Sequence, residues 1–206
     1  MQVKEKANFL QTPSQTAGPY VHIGLLPDAA GHTNLLPRLD AEVLWSDVRE
    51  GRIEITGRIS DGAGDLVKDA TIEFWQADVS GHYVATAAND MLHGRGWGRC
   101  STDFQSGLFK ISTLKPGAVV DASGRLHAPH LTLWIIARGL NDGLFTRIYF
   151  EDENDKNATD YLLTQKIPTD RKKTLIAKTD HSSETLHRYI FDIVLQGDNE
   201  TVFFDL

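Results

Sequence analysis

Cysteine is all but missing from this chain of 206 residues, in which Cys100 stands alone. A single thiol rules out an intramolecular disulfide and fits a reducing compartment. No window reaches the roughly 18 apolar residues of a membrane-spanning helix. The start, Met1 to Leu10, has neither the apolar core nor the small-residue cleavage site of a signal peptide. A soluble, cytoplasmic protein is therefore expected. Basic residues are in the minority, 21 against 28 acids, giving a net charge of −7 with neutral histidines. That balance speaks against a nucleic-acid backbone or an anionic lipid surface as partner. An anionic substrate stays open, since one local arginine reverses the field. The glycine-rich nucleotide loops, Gly-x-Ser-x-Gly and His-Glu-x-x-His are also absent, and no internal repeat is visible.

What the chain does have is strand. Ile53, Ile55, Gly57 and Ile59 alternate with polar neighbours, the period of a strand with one dry face. Ser60 to Asp65 supplies a turn through glycine and aspartate. A second strand puts Ala70, Ile72 and Phe74 on one side and Thr71, Glu73 and Trp75 on the other. A carboxylate beside an indole marks either a functional cavity or interface, or a partly exposed pair with Glu73 in a salt bridge. Ser106 to Thr113 reads as strand. Pro129 to Gly139 is the most apolar strand, covered on both faces in its second half. Asn141-Asp142-Gly143 is a hairpin signal before the return over Leu144 to Phe150. Thr159 or Asp160 caps a short helix that runs to Lys166 and stops at Pro168. Thr174 to Lys178 and Leu186 to Leu195 complete the set. Seven or more short strands with Gly, Pro and Asp turns predict an all-β fold, a β-sandwich with irregular loops. The sandwich is expected over residues 41–206, with residues 1–40 as an extended N-terminal arm and loop.

The connections carry readings of their own. Two prolines and two glycines between Thr12 and Gly24 argue against a regular helix. This stretch reads as a rigid arm with Tyr20 and His22 as polar tips, packed on a partner or covering the edge of its own sheet. His32 reads as a solvated loop residue, and Ala85 to Asp90 as one helical turn. Met91 to Arg99, with three glycines at period two, reads as irregular, with Trp97 sealing a loop. Val119 to Leu126 reads as loop. The four acids between Glu151 and Asp155 read as a solvated face, since their spacing is not that of an EF-hand. The apolar tail Val202 to Leu206 needs cover from its own body or from a partner.

Beyond this the residues alone name no substrate. Ile55-x-Gly57, Ile72-Glu73-Phe74-Trp75-Gln76-Ala77-Asp78 and Gly81-x-Tyr83 resemble the signature of the intradiol ring-cleaving dioxygenases. The likeness continues through Trp97-Gly98-Arg99, Thr113-Leu114-Lys115-Pro116-Gly117 and Ala128-Pro129-His130. Two further stretches, Thr12 to Tyr20 and Gly197 to Asp205, resemble the members of that family built from two kinds of chain. Such enzymes hold Fe(III) with two tyrosinates and two histidines, hard phenolates favouring the ferric state. In the pattern, Tyr83 falls on the first tyrosine and His130 on the first histidine. Val119 stands where the second tyrosine belongs, Thr132 where the second histidine belongs, and His127 where the family has an arginine.

The resemblance thus implies a chain that holds no iron and offers no catalytic residue, paired with a homologous iron-binding beta subunit in a higher hetero-oligomer. It implies protocatechuate (3,4-dihydroxybenzoate) and O2 as substrates, cleaved to 3-carboxy-cis,cis-muconate in a pocket between the two chains. The arm residues Thr16, Gly18, Pro19 and Tyr20 are expected to line that pocket. Arg138 is expected to meet the substrate carboxylate, bidentate pairing being what a guanidinium does well. The rival reading is a β-sandwich binding or structural protein with no oxygenase partner.

Overall fold

The alternation of residues 52–60 becomes a strand whose burial alternates in step, with Ile53, Ile55, Gly57 and Ile59 inside. The computed structural model of the protein describes residues 15–32, 51–83, 96–183 and 186–205. Its elements are a single helical turn, α1 (Val21–Leu25), then β1 (Arg52–Ser60), β2 (Thr71–Gln76), β3 (Trp97–Ser101), β4 (Leu108–Leu114), β5 (Val119–Val120), β6 (Leu126–His127), β7 (His130–Ile136) and β8 (Leu144–Phe150). Two short helices, α2 (Asn154–Asn157) and α3 (Tyr161–Gln165), come before β9 (Ile176–Asp180), β10 (His187–Ile190) and β11 (Ile193–Val194). None of the described helices is long and apolar enough to cross a membrane.

The strands form an all-β sandwich. In one half, β4 pairs antiparallel with β1, β1 runs parallel to β10, and β10 pairs antiparallel with β9. In the other, β3, β2, β7 and β8 are antiparallel in that order, and β8 meets β9 in parallel. Strand β9 therefore belongs to both halves, and the sheet folds over there. The inner faces share one core, in which Ile55, Ile59, Phe109 and Ile111 join Ile72, Phe74, Leu131, Leu133 and Ile135. All of these are fully buried, and each contributes about 1.5–3 kcal/mol. Cys100 lies in the same core, where burial pushes its thiol up to about 12 and leaves it inert.

Several expectations need correction. Residues 97–101 are a strand, not a loop. Gly98 is there because the Phe74 ring fills the space a side chain would need: a Cβ would stand 2.4 Å from its Cζ. Residues 119–120 and 126–127 pair as a small hairpin within the expected loop. The second half of β7 is covered on one face only. Leu133 and Ile135 are buried, while Trp134 and Ile136 stay half-buried, with Trp134 stacked on Phe145. The arm carries a helical turn after all, at Val21–Leu25, which starts past Pro19, so the proline removes none of its N–H donors. The expected turn at Ala85 to Asp90 lies outside the described residues.

The tail is covered by its own body. Phe204 N–H donates to the Phe145 carbonyl at 2.8 Å, and Thr146 Oγ1 donates to the Val202 carbonyl at 2.7 Å. The acidic run is busier than a solvated face: Glu151 holds Lys178 at 2.9 Å, and Asp152 and Glu153 hold Lys115 at 2.7 and 3.0 Å.

Asp160 is the helix cap, and it does more than cap. Fully buried, it accepts from the Leu163 N–H of α3 and from the Ala128 N–H ahead of β7, both at 2.8 Å. It thereby ties α3 to the strand that carries His130. Asp160→Ala would strand two N–H groups and is expected to cost about 2–4 kcal/mol. Urea unfolding checks this, and a loss below about 1 kcal/mol would mean that water replaces the carboxylate.

Candidate functional site

Two loops bring residue 83 beside residue 119. Asp78 accepts the backbone N–H of both Gly81 and Gly117 through its carbonyl, at 3.0 and 2.8 Å. The approach is so close that a Cβ on Gly81 would stand 1.9 Å from the Ala118 carbonyl oxygen. Gly81 also has φ +84°, which L side chains rarely adopt. Across β5 and β6, Val119 faces His127, and three residues on, β7 begins with His130. The positions of the family's iron ligands, 83, 119, 130 and 132, are therefore set by these loops and the first three residues of β7.

The two ligand-type residues that remain hold each other. Tyr83 Oη lies 3.4 Å from His130 Nε2, and His130 Nδ1 donates to the Ala128 carbonyl at 2.7 Å. His130 is buried, and burial, reinforced by the Arg147 guanidinium, takes it down to about 3. Burial also raises Tyr83 above the ordinary phenol, with Arg147 only partly opposing it. At neutral pH the pair is an imidazole and an un-ionised phenol, not a tyrosinate.

Arg147 went unnoticed in the sequence. It lies directly across from Thr132 in the β7–β8 pairing. Its Nη1 donates to His127 Nδ1 at 3.2 Å and to Tyr149 Oη at 3.3 Å. His127 in turn places Nε2 3.5 Å from Asp121 Oδ2. Only the register of the hairpin sets Arg147 opposite position 132, so no local signal could have marked it.

The residues present do not fit a ferric ion. Val119 has no donor atom, Thr132 offers a neutral hydroxyl, and a guanidinium stands where positive charge would have to enter. Among the described residues no group of three or more His, Cys, Asp or Glu side chains is arranged to hold a metal.

A second constellation joins the arm to the end of β7. Ala17 bridges to Arg138 in parallel, and the Gly139 N–H donates to Thr16 Oγ1 at 2.7 Å. Gly18 accepts the Val21 N–H at 3.2 Å as the chain turns into α1, and Tyr20 is 75% exposed. Pro19 and Arg138 share an open cavity of about 500 Å³ with Lys68, Asp69 and Phe104. Arg138 pairs with Asp69 at 3.1 Å, and its side chain is 61% exposed. Of the five residues singled out in the sequence, Pro19 and Arg138 thus share one cavity, Thr16 lines a separate one beside Trp134 and Leu140, Gly18 lines neither, and Tyr20 is presented to solvent.

Glu73 takes the salt-bridge alternative. Both Arg99 Nε, at 2.8 Å, and Nη2 donate to its Oε1, and Arg99 Nη1 donates to the Leu25 carbonyl at 2.9 Å. The pair ties α1 to β2 and β3, while Trp75 stays 38% exposed beside Trp97.

The family model described as "Dioxygenase" matches residues 45–197. The chain is similar to the protocatechuate 3,4-dioxygenase alpha chain of Pseudomonas putida, 43% identical over 95% of this chain and 96% of that one. Similarity to the protocatechuate 3,4-dioxygenase beta chain of Burkholderia cepacia is lower, 29% over 79% of this chain and 74% of that one. Among solved structures it resembles the dioxygenase domain of a dioxygenase–carbohydrate-binding protein fusion from Streptomyces sp. SirexAA-E. The TM-score is 0.56 and the identity 25%, over 81% of this chain and 89% of that one.

Proposed function

The chain belongs to the dioxygenase family, the intradiol ring-cleaving enzymes of its sequence signature, and from that premise we propose that it is the alpha subunit of a protocatechuate 3,4-dioxygenase. It pairs with a homologous beta subunit that holds the Fe(III), and it lines the pocket between the two chains. One observation carries this reading: near full-length similarity to an alpha chain coincides with Val119 and Thr132 at two of the four ligand positions.

The ferric ion of the beta subunit supplies the ring-opening chemistry, in which protocatechuate takes up both atoms of O2 and becomes 3-carboxy-cis,cis-muconate. This chain's share is recognition. Arg138 receives the substrate carboxylate, with Thr16, Gly18, Pro19 and Tyr20 forming the wall around it. The arm is pre-formed for this, since Thr16 and Ala17 are already fastened to Gly139 and Arg138. The half-exposed Asp69 pair holds the guanidinium in place at little cost, such pairs being worth 0–1 kcal/mol. The exposed Tyr20 and the open cavity beside Pro19 support a surface that a second chain completes.

Co-expression with an iron-binding chain of the family tests the reading. Purified alone, this chain is expected to lack stoichiometric iron and the visible tyrosinate-to-iron charge transfer. The pair is expected to carry iron and consume O2 with protocatechuate. One tightly bound ferric ion in the isolated chain, with tyrosinate ligation, would sink the proposal. An absence of O2 uptake by an iron-loaded pair would favour the rival binding or structural protein.

A further inference from the structure

Among the described residues no carboxylate pairs directly with the guanidinium opposite Thr132; the buried Asp160 reaches it only through Tyr149 Oη, at 3.4 Å, and His127 Nδ1, at 3.8 Å. Among the described residues Arg147 makes no ion pair, and its hydrogen bonds go from Nη1 to a histidine nitrogen and a tyrosine hydroxyl. Its Nε and Nη2 make no hydrogen bond to the described residues, nor are they sealed away as buried, unpartnered atoms. Tyr149 is no hidden anion, because burial holds its hydroxyl well above the ordinary phenol range. Asp160 offsets part of this charge at one remove, yet it leaves Nε and Nη2 without an acceptor among the described residues, and an anion at those donors would be favoured.

Arg147 lines a cavity of about 390 Å³, together with His127 and Thr132. Phe145, Tyr161 and Phe204 form its aromatic sides. These sides are fixed: Phe204 is bonded to the Phe145 backbone, and Arg125 lies over the Tyr161 ring at 4.5 Å. A few convergent polar groups within an apolar wall, at this volume, is the make-up of a small-molecule site. The acids that face the same space do not serve Arg147. Asp121 is engaged by His127 at 3.5 Å and Arg125 at 4.0 Å, and Asp205 is exposed. They limit the charge the cavity tolerates, so one negative charge suits it better than two or three.

We infer that this cavity is a binding site for a small aromatic monocarboxylate, its carboxylate on the free donors of Arg147 and its ring among Phe145, Tyr161 and Phe204. A guanidinium with unused donors takes a carboxylate in a fork-to-fork pair, and stacked or edge-on rings add orientation. The site uses side chains of this chain alone and stands whether or not the chain pairs with an iron-binding subunit.

The test is a titration of the purified full chain with 4-fluorobenzoate, followed by fluorine NMR. A saturable site that depends on Arg147 is expected, with affinity at least tenfold weaker in Arg147→Gln and unchanged in Lys110→Gln, a cation exposed on β4. Acetate, which lacks the ring, is expected to bind at least tenfold more weakly than 4-fluorobenzoate. Thr132→Phe, which fills the cavity without touching the charge, is expected to abolish binding and covers the case in which Arg147→Gln misfolds. Absence of saturable binding to the wild type overturns the inference. So does equal affinity in wild type and Arg147→Gln, an equal loss in Lys110→Gln, or full retention in a folded Thr132→Phe.

Discussion

Replacing Arg138 with alanine is expected to lower kcat/KM for protocatechuate by about ten- to more than a hundredfold in the assembled enzyme, with iron content unchanged. A hydrogen bond to a charged partner is worth about 1.5–3 kcal/mol net, which sets that range. Catechol, which has no carboxylate, is expected to be a poor substrate of the wild type and to lose little more in the variant. The structure makes the comparison clean. Arg138 is 61% exposed, and its ion pair among the described residues, to Asp69, is of the weak half-exposed kind. The Thr16 bond goes to the backbone of Gly139 and not to the guanidinium, so the arm keeps its anchor when the side chain is removed. A role for Arg138 in assembly predicts another outcome: equal losses for both substrates, or failure to form the complex. Measuring kcat/KM for both substrates at matched iron occupancy separates the two, and an equal fractional loss would rule out carboxylate recognition as its main role.

Much of this fold is legible one strand at a time. The alternation in β1, the Asn141-Asp142-Gly143 reversal and the Asp160 cap each rest on contacts within a few residues or on one buried face. Legibility fails where the reason for a residue lies on another strand. Gly98 looks like a loop glycine until the Phe74 ring is seen against it. Gly57 stands in the dry row of β1 with no sign of why it is glycine, yet a Cβ there would stand 1.8 Å from the Phe191 carbonyl oxygen. The parallel pairings of β1 with β10 and β8 with β9 have no turn between them to announce the register. The site divides in the same way. Val119 and Thr132 were visible as departures from a linear pattern. Arg147, which sets a cation across from position 132, becomes visible only through the β7–β8 register.

Restoring the two missing donors alone is therefore expected to fail. The double variant Val119→Tyr and Thr132→His offers two phenols and two imidazoles, yet it should remain poor in iron after loading with a ferric salt. Arg147, directly across from position 132, stands against the incoming charge. For a unit charge and a triply charged ion roughly 5 Å apart at an effective dielectric of about 20, the repulsion is on the order of 10 kcal/mol. Solvent around a half-buried side chain reduces it, but a few kcal/mol suffices to lower occupancy by two or three powers of ten. The same field already acts on the residues that would have to bind: Arg147 reinforces burial in holding His130 down to about 3. Adding Arg147→Gln removes the charge and keeps a polar group of similar reach. This triple variant is expected to take up close to one ferric ion per chain and to show the visible tyrosinate-to-iron band. Iron content by elemental analysis and the visible spectrum read the result, with the melting temperature of each variant as the check on folding, since Val119 lies in the small hairpin opposite His127. If the double variant loads iron as fully as the triple, the guanidinium is no barrier and the loss of two ligands alone accounts for a chain that holds no metal.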